Sequence, residues 1–222
     1  MNSSKNGNKV FAVIPFFNEE RFIRDVVVTT LKYVDLVIAV NDGSNDKSEF
    51  LIKDIPDVHI LSLKENMGKG YALQKGFEES LKYDLELVIT LDADKQHSPD
   101  LIPDFIEAAA NFDIVIGNRL HNIKVMPFMR ILSNKITSKL LSIRTGQKIT
   151  DSQCGFRIYK KKVLENIKTS EKGYEAESEI LIKASNVGFK IGFITIPTIY
   201  ENETSKMNPV KAIIGFIKVL LR

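Results

Sequence analysis

The sequence of 222 residues predicts an α/β fold: one domain with a mostly parallel central sheet and helices on both faces. Short apolar runs, flanked by turn residues, alternate with helical patterns along the first half of the chain. This alternation is typical of parallel sheets, whose strands are joined by crossover helices. The length fits a single domain, and 44% hydrophobic with 27% charged residues is a globular balance.

Each element is predicted from its own run of residues. The strands expected from short buried runs are Val10–Pro15, Asp35–Val40, Val58–Leu63, Leu85–Leu91, Ile114–Gly117, Gly155–Tyr159 and Lys190–Ile196. The expected helices are Glu19–Lys32, Asp46–Lys53, Lys69–Lys82, Pro99–Ala110, Pro127–Arg144, Lys160–Ile167, Glu177–Asn186 and Pro209–Arg222. No internal repeat or linker interrupts this order, so residues 9–208 are predicted to form one domain.

Further predictions follow from the two ends of the chain and from its net charge. Residues 1–8 are polar and predicted to be a disordered tail without a signal peptide. Residues 209–222 predict an amphipathic helix, which either packs on the sheet or lies on a membrane with its lysines at the headgroups. The net charge of +3 is too weak to indicate a nucleic-acid partner, and the single cysteine excludes an intrachain disulfide.

Carboxylate-rich loops follow three of the predicted strands. Asn18 and Glu19 come after the first strand, Asp42 after the second, and Asp92 and Asp94 after the fourth. Ligands of open parallel sheets bind beyond the carboxyl ends of the strands, so these side chains are expected to converge. Two carboxylates at a strand end suit Mg²⁺ or Mn²⁺, although an acidic helix start would show the same pattern.

The segment Asn66–Gly70 resembles a phosphate-binding loop without the full P-loop spacing. Its lysine, Lys69, either contacts a phosphate or is a solvated residue at a helix start. The sequence favours neither interpretation.

Taken together, these loops resemble the family 2 glycosyltransferases of the GT-A, Rossmann-like fold. Six motifs carry the resemblance, in the order in which the family has them: Ile14–Glu20, Asn41–Asp46, Asn66–Gly70, Asp92–Pro99, Gly117–Arg119 and Asp151–Arg157. The Asp-Ala-Asp-x-Gln-His and Asp-x-Gln-Cys-Gly-Phe-Arg versions are most similar to the polyprenyl-phosphate mannosyl- and glucosyltransferases.

That resemblance implies a set of functional residues. It implies metal ligation by Asp92, Asp94 and Gln96, with Mg²⁺ or Mn²⁺ as the cofactor. It also implies that phosphate groups contact Arg119 and, by a looser match, Arg130. The expected contacts to a UDP- or GDP-sugar are Pro15, Asn18, Glu19, Asp42, Lys69, Asp92 and Ala93. One departure is Asn41, where the family often has an aspartate.

The resemblance implies inversion at the sugar's C1, with Asp94, Arg119, Asp151 and Glu177 as candidate catalytic residues. A polyprenyl phosphate acceptor would be largely ionised and would need cations such as Arg119, Arg130 and Arg157. A hydroxyl of a polysaccharide or glycolipid would instead need a carboxylate base, for which the candidates are Asp151, Glu177 and Glu179. Both acceptors stay open at this point.

Two other classes of protein were considered for this sequence, together with its location in the cell. A sugar-phosphate nucleotidylyltransferase would need a Gly-rich basic loop after the first strand, and a non-catalytic nucleotide-sugar binding module would not need the trio of expected metal ligands. Some relatives have C-terminal transmembrane helices that this sequence lacks. A peripheral position on the cytoplasmic face of a membrane is therefore expected, with a membrane-protein partner or a homo-oligomer as further options.

Overall fold

The computed structural model describes residues 9–120, 126–199 and 209–222. Seven β-strands form one sheet. Their bounds are β1 Val10–Phe16, β2 Leu36–Asn41, β3 Val58–Ser62, β4 Leu87–Thr90, β5 Ile114–Asn118, β6 Arg157–Lys160 and β7 Ile191–Thr195. All seven were predicted from the sequence, to within a few residues at each end.

The strands lie in the order β3-β2-β1-β4-β6-β5-β7. Six of them run in the same direction, and β6 is antiparallel to both of its neighbours, β4 and β5. The prediction of a mostly parallel sheet is confirmed. Because β6 is reversed, its first residue lies at the edge where the parallel strands end. The segment before Arg157 therefore joins the loops at that edge.

The described residues also contain seven α-helices. Their bounds are α1 Ile23–Thr30, α2 Lys69–Ser80, α3 Ile102–Ala108, α4 Phe128–Thr145, α5 Lys161–Asn166, α6 Ala176–Asn186 and α7 Pro209–Leu220. The short helical turn Pro99–Leu101 contacts both α1 and α3, whereas α6 contacts α2, α4 and α7. The result is the single α/β domain that the sequence predicts, with a continuous core of buried strand residues.

One predicted helix is wrong. Residues Asp46–Lys53 form a series of turns instead. The side chains that would start the helix are used elsewhere: Asp46 accepts hydrogen bonds from the N–H groups of Ser48 and Glu20, and the Ser48 hydroxyl accepts one from Glu19. Side-chain hydrogen bonds of this kind compete with helix formation.

The N-terminal tail and the C-terminal helix were both predicted from the sequence. The tail predicted for residues 1–8 lies outside the described residues, whereas the predicted C-terminal helix is present as α7. Within residues 9–120, 126–199 and 209–222, no helix is long and apolar enough to cross a membrane.

Candidate active site

The loops after β1 and β2 are fastened to each other by side-chain hydrogen bonds. The Asn18 N–H donates to the Ser44 hydroxyl at 3.0 Å, and the Asn45 N–H donates to the Asn18 side-chain oxygen at 2.9 Å. Asn18 has a φ of 54°, a left-handed conformation that asparagine tolerates. These hydrogen bonds fix Asn18 and its neighbour Glu19 beyond the end of β1. Pro15, also expected to contact the donor, is buried inside the strand.

Asp42, at the end of β2, holds the next loop. Its two carboxylate oxygens accept hydrogen bonds from the N–H groups of Met67 and Gly68, at 2.8 and 2.9 Å. Burial raises the pKa of Asp42, and these hydrogen bonds oppose that effect. Gly68 has a φ of 98°, and a Cβ there would lie 2.6 Å from the Lys172 carbonyl oxygen. Only glycine fits this close approach, which sets where α2 and Lys69 begin.

Lys69 contacts two carboxylates through its ammonium group. Its Nζ lies 2.6 Å from Asp92 Oδ1 and 3.5 Å from Glu177 Oε2. The Lys69 side chain is only 16% exposed, so it is not the solvated lysine of the alternative interpretation. Gly155 makes room for the pair, since a Cβ there would lie 2.6 Å from Lys69 Nζ and 2.7 Å from Asp92 Oδ2.

The charges of this pair stabilise each other. Burial alone would raise the pKa of Asp92, but the charge and hydrogen bond of Lys69 hold that pKa below its usual value. For Lys69 burial acts in the opposite sense, and the carboxylates of Asp92 and Glu177 raise its pKa. Both groups are therefore ionised at neutral pH.

The expected metal ligands lie together on the loop after β4. Asp92 and Asp94 are partly exposed and Ala93, between them, is buried; Asp94 also accepts a hydrogen bond from the Gln96 N–H at 3.0 Å. Among the described residues no three His, Cys, Asp or Glu side chains gather to hold a metal ion. The trio nevertheless fits Mg²⁺ or Mn²⁺, because all three side chains offer the hard oxygen atoms these ions prefer.

Arg119, which follows β5, is held by Asp151 in a forked ion pair. Its Nε lies 2.9 Å from Asp151 Oδ2, its Nη2 lies 3.0 Å from Oδ1, and its backbone N–H donates to the same carboxylate at 3.1 Å. Asn134 on α4 adds a hydrogen bond of 2.6 Å. The fork fixes the Arg119 plane, while its side chain stays 15% exposed at the edge of the site. The Arg119 charge also acts on Asp92 and lowers the pKa of that carboxyl.

Asp151 does not have the surroundings of a general base. The residue is fully buried and accepts five hydrogen bonds, including one from the Gln153 N–H. Burial raises its pKa, but the hydrogen bonds and charge of Arg119 bring that pKa below the usual value. The geometry therefore makes Asp151 a positioning residue for Arg119.

Three arginines were expected at an acceptor phosphate, and for Arg157 this prediction is wrong. It is fully buried and donates to the carbonyl oxygens of Cys154, Ser152 and Glu177, at 2.7, 2.8 and 3.1 Å. A guanidinium enclosed in this way stabilises the fold and cannot reach an external phosphate. Arg130 lies in the first turn of α4 and is partly exposed.

The glutamates of α6 point in different directions, as expected for positions i and i+2 on a helix. Glu177 faces Lys69 and Arg157, each at 3.5 Å. Glu179 faces the loop before the helix and accepts hydrogen bonds from Ser170 and Glu171 as well as a contact from Lys183. Neither carboxylate is exposed.

His97 and Cys154 touch beneath the site, at 3.7 Å between Nε2 and Sγ. Burial lowers the pKa of His97 to about 4, so the imidazole is neutral at pH 7. Burial raises the pKa of Cys154 to about 12, which fits the prediction that it packs and does not act as a nucleophile.

Asn134 is the contributor to the site that the sequence interpretation missed. It is 1% exposed, and its side-chain oxygen accepts a hydrogen bond from Ser138 on the next turn. A signal was present, because Asn134 and Ser138 put polar groups four residues apart on a face of α4 where the helix packs inward.

Comparisons with known proteins identify the family of the chain. The family model described as Glycosyl transferase family 2 matches residues 11–168. An uncharacterised protein of Methanocaldococcus jannaschii is 33% identical, covering 98% of this chain and 91% of that protein. The UDP-N-acetylglucosamine–dolichyl-phosphate N-acetylglucosaminyltransferase of Methanococcus voltae is 30% identical, covering 93% and 92%.

Among solved structures, glucosyl-3-phosphoglycerate synthase of Mycobacterium tuberculosis, in complex with Mn²⁺, UDP and phosphoglyceric acid, has a similar fold. The TM-score is 0.74 at 18% identity, covering 98% of this chain and 78% of that one. This likeness confirms the predicted GT-A fold. The family match and the relatives confirm the resemblance drawn from the six motifs: the chain belongs to the family 2 glycosyltransferases and is an enzyme of that family.

Proposed function

We propose that the enzyme transfers a sugar from a UDP- or GDP-sugar to a polyprenyl phosphate, with inversion at C1 and dependence on Mg²⁺ or Mn²⁺. The dolichyl-phosphate transferase of Methanococcus voltae supports the acceptor, because it is similar to this chain over nearly the whole of both proteins. The two ends of the proposed reaction correspond to two groups of side chains at one edge of the sheet.

The donor end consists of the loops after β1, β2 and β4. Asn18, Glu19 and Asp42 stand where the nucleoside would lie, beyond the strands that carry them. Asp92, Asp94 and Gln96 would hold the divalent ion, which would supply positive charge to offset the charge developing on the diphosphate leaving group. Lys69 adds a buried positive charge next to Asp92.

The acceptor end is built around Arg119. Its guanidinium is oriented in advance by Asp151, so a phosphate can be held without further ordering of the arginine. Arg130 lies on α4, the helix that also supplies Asn134 to the Asp151 carboxylate. Both arginines thus belong to the α4 side of the site.

The surroundings of the candidate bases favour a phosphate acceptor over a hydroxyl acceptor. The three carboxylates that the sequence offers as candidate bases, Asp151, Glu177 and Glu179, are all buried and in contact with cations. A hydroxyl acceptor needs a base to remove its proton, whereas a lipid phosphate, with a second pKa of about 6, is already ionised at pH 7. The site therefore favours the acceptor that needs no base.

A membrane-bound acceptor requires the enzyme to reach a membrane surface, and α4 and α7 are suited to that contact. Apolar side chains on the outer faces of these neighbouring helices are exposed: Phe128, Met129, Leu132, Ile136, Leu140 and Ile143 on α4, and Ile213, Ile214 and Ile217 on α7, with Leu221 just after it. The exposed lysines Lys135 and Lys139 lie beside the apolar residues of α4. An amphipathic helix of this composition fits an anionic lipid surface.

The proposal is tested by measuring release of nucleoside diphosphate. The purified protein is incubated with Mn²⁺ or Mg²⁺, a short-chain polyprenyl phosphate and a panel of UDP- and GDP-sugars, with Asp94→Ala as the control variant. We expect release that requires the lipid, the metal and Asp94, and that identifies the sugar. Release that continues after chelation of the metal would contradict the proposed metal dependence.

A further inference from the structure

Lys69 makes its shortest contact with a carboxylate that the proposed function needs for another cation. Its Nζ lies 2.6 Å from Asp92 Oδ1. A divalent ion on Asp92 would bring two positive centres to the same carboxylate, and at such distances their repulsion is large even in a partly polar site. Lys69 and the ion therefore compete for Asp92.

A second carboxylate stands within reach of the same ammonium group. Glu177 Oε2 lies 3.5 Å from Lys69 Nζ, and the Glu177 side chain is only 7% exposed. Its other oxygen, Oε1, is buried without a hydrogen-bond partner in the structure. Buried carboxylate oxygens normally accept hydrogen bonds, so Glu177 is under-satisfied where it stands.

Glu177 also faces a cation that the fold holds in place. Arg157 Nε lies 3.5 Å from Oε1, and Arg157 is itself fixed by the three carbonyl oxygens it contacts. Lys69 by contrast ends a flexible side chain, next to the Tyr174 ring at 5.9 Å. Because Lys69 Nζ lies within 3.5 Å of both carboxylates, rotation of its side chain is enough to move it from one to the other.

We infer that Lys69 exchanges Asp92 for Glu177 when the metal binds, and that Glu177 is the positioning residue that receives it. This inference rests on the proposed metal dependence. In the metal-free enzyme Lys69 neutralises Asp92. With the metal bound, its Nζ would form a full ion pair with Glu177 and leave the Asp92 oxygens to the ion. Glu177 then acts through Lys69 and does not serve as the base considered from the sequence.

The exchange is tested by Mn²⁺ binding to the full chain without a donor, measured from the electron paramagnetic resonance signal of free Mn²⁺. Glu177→Gln removes the alternative partner of Lys69, so we expect Mn²⁺ binding to weaken about tenfold, as for other residues that position a metal ligand. Lys69→Met removes the competitor, so we expect binding to tighten about tenfold.

The double variant Lys69→Met/Glu177→Gln separates this role from a merely structural one. Without the lysine, Glu177 has nothing to receive, and Arg157 still neutralises its surroundings. We therefore expect the double variant to bind Mn²⁺ as Lys69→Met does, within about twofold. Equal Mn²⁺ affinity of Glu177→Gln and the wild type, or additive effects in the double variant, would overturn the exchange.

A measurement on the wild-type protein covers the case in which the variants fail to fold. In a crystal structure with Mn²⁺ and UDP, we expect Lys69 Nζ at about 2.8 Å from Glu177 and no longer in contact with Asp92. A lysine that stays on Asp92 beside the bound ion would refute the exchange and leave the proposed function intact. Failure of the wild type to bind Mn²⁺, even with UDP, would refute both.

Discussion

Asp151 illustrates how a residue's surroundings change the role that its type suggests. A carboxylate in a glycosyltransferase motif can be a base, but here it accepts five hydrogen bonds and pairs with Arg119. Arg157 makes the same point, because its burial depends on carbonyl groups from α6 and from the loop before β6. Such partners come together only in the folded chain, so neither role could be predicted from the sequence.

The Asp151→Asn variant tests the positioning role. Loss of the forked ion pair should let Arg119 move, and displacement of a substrate-positioning group typically costs about 100-fold in rate. We expect kcat/KM for polyprenyl phosphate to fall by about that factor while the KM for the nucleotide-sugar stays the same. The residual activity should keep the wild-type pH profile. A profile that loses its acidic limb would show instead that Asp151 is a base.

Glu179 gives a prediction for stability against pH. Although burial raises its pKa, the hydrogen bonds from Lys183, Thr169 and the following N–H groups lower that pKa to about 2, from an ordinary 4.5. A lowered pKa in the folded state stabilises the fold above the unfolded value, by an amount on the order of 3 kcal/mol. This stabilisation is complete above about pH 4.5 and is lost as the pH falls toward 2.

The measurement is urea unfolding as a function of pH. The Glu179→Gln variant should be less stable than the wild type at pH 7, and the difference should shrink below pH 4.5. The exposed Glu107 provides a matched control as Glu107→Gln, for which we expect little change. A constant difference between Glu179→Gln and the wild type across this pH range would contradict the assignment.

At the scale of elements, the strands were predictable and one turn-rich loop was not. The strands are buried and apolar, so their sequence pattern reports their environment directly. The Asp46–Lys53 segment has a helix-like composition, but its polar side chains bind the loop after β1. Four of the six motifs overlap a strand, the Asp92–Pro99 motif begins two residues after β4, and the Asn66–Gly70 motif runs into α2. What the motifs did not show was which side chains pair across the site.

The outer face of α4 carries its own prediction. Its inner face supplies Asn134 to Asp151, and the outer face is exposed and apolar, with Met129 at 70% and Ile143 at 72% exposure. Replacing both by serine should weaken binding to anionic phosphatidylglycerol vesicles at least about tenfold, because each apolar side chain contributes on the order of 1 kcal/mol or more when buried in lipid. Co-sedimentation measures the binding.

The matched control for Met129→Ser/Ile143→Ser is Phe50→Ser/Val187→Ser, at exposed apolar positions away from α4 and α7. The control should bind vesicles as the wild type does. If the α4 variant keeps its vesicle binding but changes from dimer to monomer in size-exclusion chromatography, the face is a self-association surface instead.

For the whole molecule, the order of the strands explains why the parts meet. Loops from β1, β2 and β4 form the proposed donor end, and β5 with the segment before β6 forms the proposed acceptor end. The reversed β6 allows Gly155 to lie against Lys69 and Asp92, and Asp151 to reach Arg119. α4 then connects the acceptor end to the exposed apolar surface. A lipid phosphate arriving from a membrane would approach along this side.

In the proposed reaction the acceptor is a phosphate, and no base is required. The most direct test compares polyprenyl phosphate with the unphosphorylated polyprenol of the same chain length, under identical metal and donor conditions. We predict sugar transfer to the phosphate and none above background to the alcohol, because the candidate base carboxylates are held by cations. Equal or faster transfer to the alcohol would contradict the claim and show that a base is present in the site.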